Sequence, residues 1–161
     1  MYAVGDKVVH PMHGAGVVEE IKELEVVGKK RKYYAVRFII GNMVTNIPIE
    51  SSDGIGIRNV IDKKEAKKVL ECFRTLPVID DTNWNKRQRE NMLKIKSGDI
   101  YQVAGVLKEL MYRDKTKGLS TSERKTLGSA KQIVISELVL SDFAEVGDIE
   151  NIMQDTIEAL L

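Results

Sequence analysis

The sequence predicts an α+β protein, a small bent Tudor/SH3-like sheet or barrel followed by an all-α bundle of about five helices. Three observations predict it. Up to about residue 60 the apolar residues come in short runs of β-branched and aromatic types, split by Gly and Asn at close intervals. From Asp62 onward the apolar spacing changes to that of amphipathic helices, and Ser, Thr, Asp and Asn stand where such helices need caps. The expected division is therefore residues 1–60 as a Tudor-like domain and 61–161 as a helical domain.

In chain order, the strand candidates are Val8-Val9, Gly16-Val17-Val18 through Ile21, Leu24 and Val26-Val27, then Tyr33 to Ile40, and last Met43 to Pro48. Gly14 and Gly16 mark a bend or bulge after Pro11. Gly28-Lys29-Lys30 suits one turn, and Gly41-Asn42 suits a two-residue hairpin that needs positive φ. Met43–Ile49 is the best candidate for an exposed edge, because Pro48 cannot donate to a ladder. Such an edge could add to a partner's sheet through main-chain bonds, or Pro48 could simply end the strand.

The first helix is expected over Asp62–Leu76, with Asp62 as cap and Pro77 as stop. Residues 77–82 form a short linker. A second helix, capped by Thr82 or Asn83, runs to Ser97 and closes at Gly98; Asp99 caps a third that ends at Gly118. Ser120-Thr121-Ser122-Glu123 reads as a capping box for a long fourth helix with Leu127, Ala130, Ile133, Val134, Leu138 and Val139 inward. Gly147-Asp148 opens the last helix.

Composition narrows the function class. No apolar run approaches the roughly 18 residues of a membrane span, and the first residues lack the basic-then-apolar order of a signal peptide, so a cytoplasmic protein is expected. Cys72 is the only cysteine and reads as a small buried hydrophobe. No nucleophile elbow, phosphate loop or dinucleotide fingerprint occurs, which argues against an enzyme. His10 and His13 lack a third ligand at a supporting spacing, so a turn role is expected rather than a metal site. The Asp80-Asp81 pair reads as solvated acids. No cofactor is implied.

The formal net charge of +1 hides a strong segregation: residues 84–131 carry twelve Lys/Arg against five Asp/Glu, and residues 132–161 carry none against seven. These blocks could pair with each other, or they could leave a basic face for nucleic acid. The one tryptophan, Trp84, opens the basic block with Asn83 and Asn85 on either side and Lys86, Arg87 and Arg89 just behind. It could pack down as a helix-start anchor. Alternatively, a flat apolar group ringed by cations and amides suits a DNA minor groove, where cations meet phosphates and the ring wedges against a partly unstacked step. With so few cations, such a reader would bind free duplex weakly and would need delivery by another protein.

Val8-Val9-His10-Pro11-Met12-His13-Gly14-Ala15-Gly16-Val17 resembles the opening signature of the CarD/CdnL family of bacterial transcription regulators, a signature shared with the polymerase-docking module of transcription-repair coupling factors. Pro77 to Gly98, centred on Thr82-Asn83-Trp84, resembles a second hallmark. Arg113-Asp114 with Gly118-Leu119-Ser120 and Glu123 fits a third. The resemblance implies a first domain that binds the RNA polymerase β subunit by sheet extension, here through Met43, Val44, Thr45, Asn46, Ile47 and Pro48. It implies a second domain that contacts promoter DNA at the upstream edge of the bubble, with Trp84 as minor-groove wedge at the −10 element, Asn85 beside it, and Lys86, Arg87 and Arg89 on phosphates. The expected outcome is a stabilised open complex formed by a monomer. Some members carry arginines on the docking strands where this chain has Leu24 and Asn46. The competing expectation is a protein-only adaptor whose tryptophan is buried.

Overall fold

The structure is a computed structural model that describes residues 1–79 and 82–161. The Asp80-Asp81 pair lies outside the described residues. Five antiparallel strands, β1 (Lys7–His10), β2 (Gly14–Val26), β3 (Lys29–Phe38), β4 (Val44–Pro48) and β5 (Arg58–Asn59), form one sheet in the order β4-β3-β2-β1-β5. A single helical turn, α1 (Ser52–Ile55), precedes β5, and five longer helices follow: α2 (Lys63–Thr75), α3 (Trp84–Lys96), α4 (Ile100–Thr116), α5 (Thr121–Leu140) and α6 (Val146–Glu158).

The sheet bends because β2 carries an irregularity between Val18 and Glu20, where its register against β3 shifts. Its concave face is filled by Val8, Val18, Tyr34, Val36, Phe38, Ile47 and Ile57. At the far end, β2 and β3 run on past β4 as a two-stranded ribbon. Sequence placed its turn at Gly28-Lys29-Lys30, but Val26 pairs with Lys29, so the two loop residues are Val27 and Gly28, at φ 51° and 74°. Such a two-residue loop needs positive φ at both positions, and Val27 accepts it at a tip where its side chain is almost fully exposed. Gly41 and Asn42 both have positive φ, as expected, but the Phe38 N–H bonds to the Met43 carbonyl, so the loop runs over the four residues Ile39 to Asn42 and is not the expected two-residue hairpin.

The helices form a second core around Phe73, Leu107, Leu110, Val134, Leu138 and Ile149. Most of their caps are the residues that spacing suggested: Asp62 accepts from the Glu65 N–H, Asn83 rather than Thr82 from Lys86, Asp99 from Tyr101, and Ser120 from Glu123. The C-terminal carbonyls of α2 meet a buried lysine instead of water. Lys108 Nζ donates to the carbonyls of Arg74 and Leu76 at 3.0 and 2.5 Å, and burial lowers its pKa.

The α5 helix is the element shared by both layers, and its inward face is wider than expected. Ile135, Ser136 and Glu137 are buried in addition to the helical-core positions, because α5 packs on the bundle with one side and on β2 with the other. Gly14 shows how close this approach is: a Cβ there would lie 2.5 Å from Ser136 Oγ and 2.9 Å from the Gln132 carbonyl, at a φ of +86°. Across the seam the Ala15 N–H donates to Ser136 Oγ at 2.8 Å, and Gln132 Nε2 donates to the His13 carbonyl at 3.0 Å. Two acids of the C-terminal block turn toward the sheet: Glu137 pairs with Arg58 and Asp142 with Lys7.

Candidate nucleic-acid interface and docking edge

Trp84 is the first residue of α3, and its side chain is 43% exposed. The first turn of α3 meets the start of α5 through this side chain. The indole N–H donates to Ser120 Oγ at 3.2 Å. Asn85, Lys86 and Arg89 are exposed around it. One flat apolar group and two cationic side chains are thus exposed on the first turns of the same helix, whose own first-turn N–H groups add partial positive charge.

Arg87 does not belong to that surface. Its side chain is 2% exposed, with Nε and Nη2 donating to the Glu123 carboxylate at 2.8 and 3.1 Å, and Glu123 is equally buried. The expected phosphate contact through Arg87 is therefore corrected: on α3 it falls on the face that packs against α5, and its charge is spent inside the protein. Burial would raise the Glu123 pKa, but hydrogen bonds and charge from Arg87, with a further contact to the Ser120 backbone, outweigh it and hold the carboxyl below its ordinary value. The same α3 face buries Asn91 and Ile95.

The strand read as a docking edge does lie at the end of the sheet. Phe38 N–H bonds to the Met43 carbonyl and Ile49 N–H to the Lys32 carbonyl. Hydrogen-bonded pairs alternate in an antiparallel ladder, so Thr45 and Ile47 bond inward to β3 while the main-chain groups of Val44 and Asn46 point outward. Pro48 offers a carbonyl only. Side chains divide differently: Ile47 is 2% exposed and fills the sheet core, so its side chain faces away from any partner. Val44, Asn46 and Met43 are exposed, and Met43 lies in the hairpin loop rather than in β4. Leu24 is half-buried on the ribbon, but Arg31 stands directly opposite it on β3, which places a cation on the same ribbon face.

His10 and His13 stack with their ring centroids 4.4 Å apart, against Phe38. They close the turn between β1 and β2: His10 Nδ1 accepts from the Met12 N–H at 3.0 Å. Burial, and secondarily His13, pull the His10 pKa down to about 4. Among the described residues no helix is long and apolar enough to cross a membrane.

Sequence reading missed the pair that ties the helical bundle to the sheet. Arg58 donates from Nη1 and Nη2 to the two oxygens of Glu137, each at 2.6 Å, and from Nε to the Gly98 carbonyl at 3.2 Å. Glu137 also accepts the Ile61 N–H at 3.0 Å and is fully buried. A single acid within the apolar run Ile133–Leu140 was the available signal.

Comparison with known proteins bears on both parts. Residues 2–61 match the CarD-like/TRCF RID domain, and residues 68–154 match the CarD C-terminal domain. A protein of Bacillus subtilis (strain 168), named "Putative transcription factor YdeB", is 39% identical over 144 residues, which span 86% of this chain and 90% of that one.

Proposed function

This chain is a transcription regulator of the CarD family, and from that premise we propose that it docks on the RNA polymerase β subunit through β4 and stabilises the promoter open complex through Trp84. The family points to a transcription factor rather than an enzyme.

The observation that carries the proposal is the exposed Trp84 on a helix that also exposes Lys86 and Arg89, in a bundle pinned to a sheet with an open edge. In this reading the outward main-chain groups of Val44 and Asn46 extend a polymerase sheet, with Arg31 supplying a charged contact next to Leu24. Trp84 then enters the minor groove at the upstream edge of the bubble, where the step is already partly unstacked and insertion costs least. Asn85, Lys86 and Arg89 meet the backbone around it. Binding is largely indifferent to sequence, because phosphates and ring insertion carry little base information. The exposure of Trp84 favours this reading over an adaptor that buries its tryptophan.

Open-complex lifetime, measured with polymerase and the full chain on a promoter, tests the wedge. Trp84→Ala is expected to shorten it about tenfold, the equivalent of about 1.4 kcal/mol, while polymerase binding persists. An unchanged lifetime overturns the wedge.

A further inference from the structure

The Trp84 ring is attached to the protein by more than its own helix. Ser120 Oγ accepts the indole N–H at 3.2 Å and the Glu123 N–H at 3.2 Å, and its hydroxyl lies 3.4 Å from Glu123 Oε1, to which it donates. Glu123 in turn grips Arg87, which sits one turn after Trp84 on α3. The four side chains close a ring, Trp84 to Ser120 to Glu123 to Arg87, that ties the first turn of α3 to the first turn of α5. The Glu123–Arg87 half of this ring is buried, and the Trp84–Ser120 half is at the surface.

We infer that Ser120 is the positioning residue of Trp84, holding the indole in a preset pose through its N–H, with the buried Arg87–Glu123 pair fixing Ser120 in turn. A side chain held in advance loses less freedom when it inserts, so more of its contact energy reaches the complex. The ring also meets its partner with its only polar group already satisfied. It therefore acts by shape and apolar contact, not by donating to a base edge. The effect of this positioning on transcription rests on the wedge reading above; the positioning itself does not.

The experiment uses the full chain with Ser120→Gly, Ser120→Ala and Ser120→Thr. Glycine is nearly as good an N-cap as serine, so Ser120→Gly removes the hydroxyl while sparing α5, and threonine restores the hydroxyl. Trp84 is the only tryptophan, so its fluorescence anisotropy decay and acrylamide quenching report its pose in the free protein. Faster ring motion and stronger quenching are expected in Ser120→Gly and Ser120→Ala, with recovery in Ser120→Thr. With polymerase and promoter, Ser120→Gly is expected to shorten open-complex lifetime about fivefold, the scale of one lost hydrogen bond. In a Trp84→Phe background, which keeps an apolar ring but has no N–H, Ser120→Gly should change the lifetime no further. Unchanged anisotropy and quenching overturn the inference, as does an equal loss of lifetime in both backgrounds, which would mean a weakened α5 alone. If Trp84→Ala leaves the lifetime unchanged, the wedge fails and the anisotropy result alone decides the positioning.

Discussion

Arg58 of β5 and Glu137 of α5 form a two-pronged ion pair, both bonds at 2.6 Å, across the seam between sheet and bundle. Glu137 is fully buried, so its charge is tolerable only while Arg58 and the Ile61 N–H stay in place. The pair helps make the position of the β4 edge relative to Trp84 a property of the fold.

Glu137→Ala leaves Arg58 and the Ile61 N–H without their carboxylate. It should cost about 3 kcal/mol of unfolding free energy in urea titration. Replacing both partners with Leu should cost less, since neither charge is then stranded.

Arg87 and Arg89 stand two residues apart and should give opposite phenotypes. Arg87→Met strands Glu123 and should cost about 3 kcal/mol in stability. Arg89→Met should leave stability within about 0.5 kcal/mol, as exposed surface substitutions do, yet lower DNA affinity in the polymerase complex and reduce its log-log salt slope by about one. Equal salt slopes for wild type and Arg89→Met would remove Arg89 from the interface.

His10 should make the protein acid-sensitive. Its folded pKa of about 4 lies below the ordinary 6.5, so between those values the unfolded chain takes up a proton that the folded chain refuses. Stability should hold above about pH 6.5 and fall as pH drops toward 4. His10→Asn, which keeps an acceptor for the Met12 N–H, should show a flatter profile over that window in thermal melts at stepped pH.

On the docking edge, main-chain direction separates folding from binding. Thr45→Pro removes an N–H bonded to β3 and should destabilise the sheet by about 1 kcal/mol or more. Asn46→Pro removes an outward N–H, so it should spare the melting temperature more and weaken pull-down of polymerase. Comparable polymerase capture by Asn46→Pro and wild type would argue against sheet extension through β4.

Much of this architecture is legible in residue order alone. The helix caps at Asp62, Asp99 and Ser120, the positive φ at Gly41-Asn42 and the strand end at Pro48 are local matters: each depends on one residue's side chain or φ within a few positions of its effect. Trp84 at the head of a helix with cations behind it is local in the same sense. Which cations face outward is not. Arg87 and Arg89 look alike in sequence, and only the packing of α3 on α5 sends one inward to Glu123 and leaves the other at the surface. Arg58 and Glu137 are 79 positions apart, and no periodicity links two residues whose partnership depends on where a whole helix lies against a sheet. Sequence by itself determined the order of all the elements except α1 and β5, and the tryptophan's place at a helix start, because short-range sterics and hydrogen bonding act within a turn or two. Tertiary packing decided which charges are buried, how sheet and bundle are joined, and how the tryptophan is held, because those depend on burial and on bonds between segments distant in the chain.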